Sequence, residues 1–231
     1  MATWVSHMRI AEHFMKKDER LNNVRFLVGN IGPDCGVPNE DWSAFTPDTN
    51  VTHWQTAGKD TIDADDFRSK YLKTHDEKYP FYLGYYFHLL TDRAWSGFFK
   101  RKKEEPAYAE GLSRDKNFIW TIKKDWYGQD HLFLRDHSDF VFYRLFAKID
   151  AFPNEYFDFY PDNAFTDRIK YITGFYLSSH EDPDRVFTYL TKQEMDGFVE
   201  ATIHDIENIY TNINISHQTE GTTWRTPSTY K

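Results

Sequence analysis

Cysteine is all but absent: Cys35 is the only one among 231 residues, so the fold contains no internal disulfide. Cations are in deficit as well. Lys and Arg number 28 against 36 Asp and Glu, a net charge of −8, which leaves no basic footprint for duplex nucleic acid. An acidic chain can still handle phosphoesters where metal ions supply positive charge locally. Apolar runs fall far short of the ~18 residues that a membrane-spanning helix needs, so no transmembrane segment is expected. Met1 to Arg9 has no basic stretch leading into an apolar one, so no secretory leader is expected and a cytoplasmic location is. Internal repeats, low-complexity tracts and clearly alternating strands are missing too.

What remains is a globular composition with 18% aromatic residues, enough to pack a core with rings and to line a cleft. The apolar periodicity is helical throughout, and the expected fold is one all-α domain over residues 1–215 with a loose polar tail at 216–231. Helices are expected at 4–17 with Thr3 as N-cap, at 22–31 in a short form, and at 64–76 after Asp63 or Asp65. Further helices are expected from about 114, then at 137–149, 164–178, 183–190 and 191–211. Residues 35–63 and 104–113 are expected as loops, the first of them long enough to suggest a functional role.

The most apolar helix spans roughly 80–101, opening at Pro80 and closing on Lys100 to Lys103, cations suited to a helix C-terminus. One of its stripes runs Phe81, Tyr85, His88, Asp92, Trp95, Phe99. Two ionisable groups therefore lie one turn apart among rings, and a buried carboxylate without a partner costs several kcal/mol. An internal imidazole–carboxylate hydrogen bond would serve, and so would a metal ion held by both. His88 is the one histidine with a carboxylate four residues on inside an uninterrupted helix; His180 precedes Asp184, but Pro183 intervenes. Tyr85, Tyr86 and Trp95 fit a core first and a cleft wall second.

Four further stretches fall in order around this helix. Ser6-His7 is followed by Ile10-Ala11, Phe26 to Asp34 reads Phe-Leu-Val-Gly-Asn-Ile-Gly-Pro-Asp, and Thr52-His53-Trp54 lies in the long loop before Gly84 to Asp92. Over about the first hundred residues this ordered set resembles the zinc-dependent phospholipase C family and, more distantly, the single-strand-specific zinc nucleases. The resemblance implies that Asp34, His53, His88 and Asp92 hold one zinc ion, that His7 holds a neighbouring one, and that Asp92 bridges the two. It implies a metal-held hydroxide attacking a phosphodiester or phosphomonoester, with Asp34 and Asp92 at the reacting centre. A mixed nitrogen and oxygen donor set suits zinc, and paired cations suit phosphate chemistry.

Two departures narrow this. Family members use a free N-terminal tryptophan as a ligand, whereas Trp4 is internal here. They hold a third zinc through a His-x-x-x-Glu pair, which this chain lacks entirely, so one or two ions are expected. Asp130 is the foremost candidate for a replacement donor, ahead of Asp125 and His131. Cys35, beside Asp34, is expected to be a bystander thiol. The expected function is thus a zinc-dependent phosphoesterase acting on a small phosphoester or a phospholipid headgroup. A single-strand nuclease, or a non-catalytic metal-stabilised module binding phosphate, are the alternatives.

Overall fold

The computed structural model describes the chain except residues 42, 57–60, 116, 179–181, 183 and 220–231, with backbone alone for 214–219. The described residues are mostly helical, an all-α fold: α1 (Trp4–Lys17), α2 (Val24–Gly29), α3 (Thr49–Thr52), α4 (Ala64–Tyr71), α5 (Tyr79–Lys102), α6 (Pro106–Arg114), α7 (Phe118–Asp136), α8 (Val141–Arg144), α9 (Ala164–Leu177) and α10 (Lys192–Thr219). A two-residue ribbon pairs Val37–Pro38 with Phe45–Thr46 in antiparallel register. No described helix is long and apolar enough to cross a membrane.

Helix α5 is the axis. From Tyr79 to Asp92 nearly every side chain is buried, because α1, α2, α4 and α10 all pack against it. Phe87 meets Phe14 of α1 at 4.7 Å between ring centroids, and both lie 5.8 Å from Tyr210 of α10. Further along, Trp95 sits edge-on to Trp126 of α7 and to Phe198 of α10, at 5.0 and 4.8 Å. The closest approach is to α2. A Cβ on Gly84 would lie 2.2 Å from the Phe26 carbonyl oxygen, and one on Gly29 would lie 2.1 Å from that of Phe81. Only glycines let these two backbones touch.

Several local expectations are corrected. Residues 106–114 are helical as α6: Pro106 presets the first turn, and the buried Tyr108 donates its hydroxyl proton to the Tyr189 carbonyl. The expected helix at 183–190 is absent from the described residues 184–190, which run as turns and bends. The Asp125 carboxylate takes the Tyr189 N–H and the Arg185 guanidinium, both at 2.6 Å, so that backbone is fixed by a side chain instead of a helical ladder. The helix at 137–149 shrinks to α8 and a 3₁₀ turn, Phe146–Lys148. Residues 216–219, expected in the loose tail, continue α10; 220–231 lie outside the described residues.

Candidate metal centre

Four elements deliver five side chains to one buried point. His7 comes from α1, whose first turn Thr3 caps by accepting the Ser6 N–H. Asp34 comes from the 3₁₀ turn Gly32–Cys35, and His53 from the residue closing α3. His88 and Asp92 project from one face of α5, as their spacing predicts. Asp92 is the hub. Its Oδ2 lies 3.3 Å from His88 Nε2 and 3.4 Å from His53 Nε2, and its Oδ1 lies 3.5 Å from His7 Nε2. His53 Nε2 is also 3.3 Å from Asp34 Oδ1. All five are almost fully excluded from solvent.

Two of the histidines are held in place through Nδ1. His88 Nδ1–H donates to the Asn30 carbonyl at 2.8 Å, which leaves the Nε2 lone pair facing Asp92. The Thr52 hydroxyl gives its one proton to the Thr49 carbonyl and accepts from His53 Nδ1–H at 3.0 Å. In a neutral ring that would leave the His53 Nε2 lone pair facing Asp34 and Asp92. The next residue, Trp54, has φ of 53°. A bulky residue in the left-handed region costs about 1–2 kcal/mol. The Trp54 ring, edge-on to Phe67 at 5.0 Å with its Nε1–H donating to Asp66, holds it there.

The His88 lone pair thus faces a carboxylate oxygen, as would that of a neutral His53. Among the described residues, His7 Nδ1 and Nε2, His53 Nε2, His88 Nε2 and Asp92 Oδ2 are all buried without a hydrogen-bond partner. Native proteins rarely leave such groups unpaired, and a cation would satisfy them together. A proton alone serves poorly. Burial opposes charge on His53, yet Asp34 and Asp92 raise its pKa to about 9, so one proton sits there. Burial and the neighbouring His88 lower His7 to about 4, since the two rings stack 3.7 Å apart and cannot both be charged. Burial alone would raise Asp34, but His53 and His88 hold it down to about 2. One proton cannot bridge every acceptor contact; a divalent ion can hold several. Two overlapping sets bring their donor atoms within 4.8 Å of one another: His7, His88, Asp92, and Asp34, His53, His88.

All five ligand candidates expected on one or two ions are therefore brought together. Asp130, expected as a replacement donor, is not among them. Thr3 donates to its Oδ1 at 2.7 Å and Tyr176 to its Oδ2 at 2.5 Å, so both oxygens are occupied. Burial pushes its pKa up to about 7 against those two bonds. Asp125 is equally engaged, with Arg185 and Tyr189. The Cys35 thiol is buried, raised far above its usual range by that burial, and donates to the Ile31 carbonyl. Sequence reasoning missed the Asn30 carbonyl, the Thr52 hydroxyl and the Ala2 N–H, which donates to Asp92 Oδ1 at 2.7 Å. Thr52 could have been suspected, because it directly precedes His53; a backbone carbonyl leaves no trace in a sequence.

A cavity of about 610 Å³ opens onto this centre, with Asp34 and His53 on its floor and Trp4, Trp95, Trp120 and Trp126 among its walls. No family model, no curated protein and no solved structure matches this chain.

Proposed function

We propose that this chain is a zinc-dependent phosphoesterase of the phospholipase C type, hydrolysing a phosphodiester or phosphomonoester in the aromatic cavity. The observation that carries the proposal is the cluster of His7, His53 and His88 around Asp92, whose buried polar atoms lack hydrogen-bond partners among the described residues, beside a substrate-sized cleft that Asp34 and His53 line. Asp34, His53, His88 and Asp92 would hold one ion, and His7 with Asp92 a second. Bound zinc would acidify a water and neutralise charge on the phosphate. The chain's own contribution is positioning. Asn30 and Thr52 lock the imidazoles, Asp92 sits between the two ligand sets, and Asp34, ionised at neutral pH, faces the cavity where it can orient a water by accepting its hydrogen bond. The aromatic walls shed water from the cleft, which strengthens every electrostatic contact inside it.

Zinc-loaded and chelator-stripped protein are compared on bis(4-nitrophenyl) phosphate, 4-nitrophenyl phosphate, phosphatidylcholine vesicles and single-stranded DNA. Zinc-dependent turnover of a small phosphoester, abolished in His88→Ala, is the expected result. Stoichiometric zinc with no hydrolysis of any of them overturns the proposal in favour of a non-catalytic phosphate-binding module. Cleavage confined to the DNA moves the activity to a single-strand nuclease, an alternative that the tryptophan walls favour because bases stack on such rings.

A further inference from the structure

The cavity walls carry one feature that the metal centre does not use. Lys123, on α7, lines the cavity half-buried, and no carboxylate lies within ion-pairing distance of it among the described residues. Its ammonium rests over the Trp120 ring, 4.7 Å from the centroid. Burial lowers its pKa and only the nearby Asp34 carboxylate counters that, so it is a cation short of an anionic neighbour. Another cation that lines the cavity, Arg168, is engaged: it donates to the Gly36 carbonyl at 2.5 Å. A second donor lies in the same wall. Trp95, 1% exposed, also lines the cavity, and its Nε1–H has no acceptor. Its ring packs on Trp126, three residues along α7 from Lys123 and so on the same side of that helix.

We infer that Lys123 and the Trp95 indole N–H form an anion-binding subsite, and that the cavity takes phosphoesters joining an anionic oxygen to an uncharged apolar or aromatic group, not a cationic headgroup. Among the described residues both donors lack acceptors, and a phosphate oxygen that a metal centre leaves unbound would supply one. Aromatic walls alone would also suit a quaternary ammonium. Here, however, the Trp120 face is already covered by the protein's own cation. Asp34 is the only carboxylate among the described lining residues, and the proposed metal centre claims it. A cationic headgroup would meet Lys123 without a countercharge.

This assignment rests on the phosphoesterase reading for its substrate, but it can be tested without turnover. Phenylphosphonate and benzyltrimethylammonium are similar in size, resist hydrolysis and differ in charge. Their binding to the full chain, zinc-loaded and zinc-free, is read by tryptophan fluorescence. Phenylphosphonate is expected to bind the tighter of the two. Lys123→Gln should weaken it about 10–100-fold, the loss of one charge-assisted hydrogen bond, and Lys123→Arg should restore most of it. Trp95→Phe, which keeps a buried ring, should weaken it several-fold. Tighter binding of the ammonium probe, or unchanged phosphonate affinity in either Lys123→Gln or Trp95→Phe, overturns the subsite. Phosphonate binding that depends on Lys123 in a protein without phosphoesterase turnover would sustain the subsite and remove the enzyme. Turnover indifferent to Lys123→Gln would do the reverse.

Discussion

Replacing Asp92 by asparagine keeps the side chain's shape and removes its charge, so it separates metal binding from packing. In the metal-free protein the substitution has opposing effects that leave a small net change, because His53 loses one of the two carboxylates that hold its proton while His88 gains a donor. The new amide N–H₂ can donate to the His88 Nε2 lone pair, 3.3 Å from Asp92 Oδ2, where a carboxylate could only oppose it. In the metal-bound protein the same change removes the one anionic group that all three imidazoles face. Removing one partner of a buried charge pair costs about 3–5 kcal/mol, close to a thousandfold in affinity. Zinc at a thousandfold over its Kd stabilises the native state by about 4 kcal/mol, and at its Kd by only about 0.4 kcal/mol. For a domain of this size each kcal/mol moves Tm by about 2–4 °C. Zinc should therefore raise the wild-type Tm by roughly 8–16 °C and that of Asp92→Asn by about 1–2 °C, read by scanning calorimetry with elemental analysis alongside. A variant that keeps wild-type zinc content and the full zinc-induced shift would refute Asp92 as the hub.

Three other substitutions probe the surroundings. Thr52→Val removes the hydroxyl that fixes His53, and zinc affinity by competition with a chromogenic chelator should fall about 10–100-fold with little change in metal-free Tm. Gly84→Ala places a methyl 2.2 Å from the Phe26 carbonyl; backbone cannot step aside, so denaturant unfolding should show a loss of about 3 kcal/mol, the upper end for overpacking. The same variant should also bind zinc more weakly, since α2 carries the Asn30 carbonyl away from His88. Asp130 sets a pH dependence. Its folded pKa, raised to about 7 from 3.8, gives a stabilisation that is complete below pH 3.8 and lost as pH rises through 7. At about 1.4 kcal/mol per unit that amounts to roughly 4 kcal/mol across the window. Asp130→Asn should flatten that slope in chemical denaturation between pH 4 and 7 and be the more stable protein at pH 8; an unchanged slope would show that Asp130 stays ionised.

Periodicity in the chain determined the helical class, the central helix, and the pairing of His88 with Asp92, because a residue four positions on lies on the same helix face whatever surrounds it. Capping chemistry likewise made α1 and α4 legible, through Thr3 and Asp63. It failed at 106–114 and 184–190, where long-range partners such as Tyr189 and Asp125 outweigh local preference. The resemblance in residue order named His7, Asp34 and His53, but their meeting depended on the fold. Only the tertiary structure brought α2 against α5 through Gly29 and Gly84, and so set the Asn30 carbonyl on His88. It also turned Asp130 away to Thr3 and Tyr176, and placed Lys123 and Trp95 in one cavity wall. Spacing along a helix is local and survives in the sequence. Contacts made by backbone carbonyls, and by side chains many residues apart, exist only once the helices have packed.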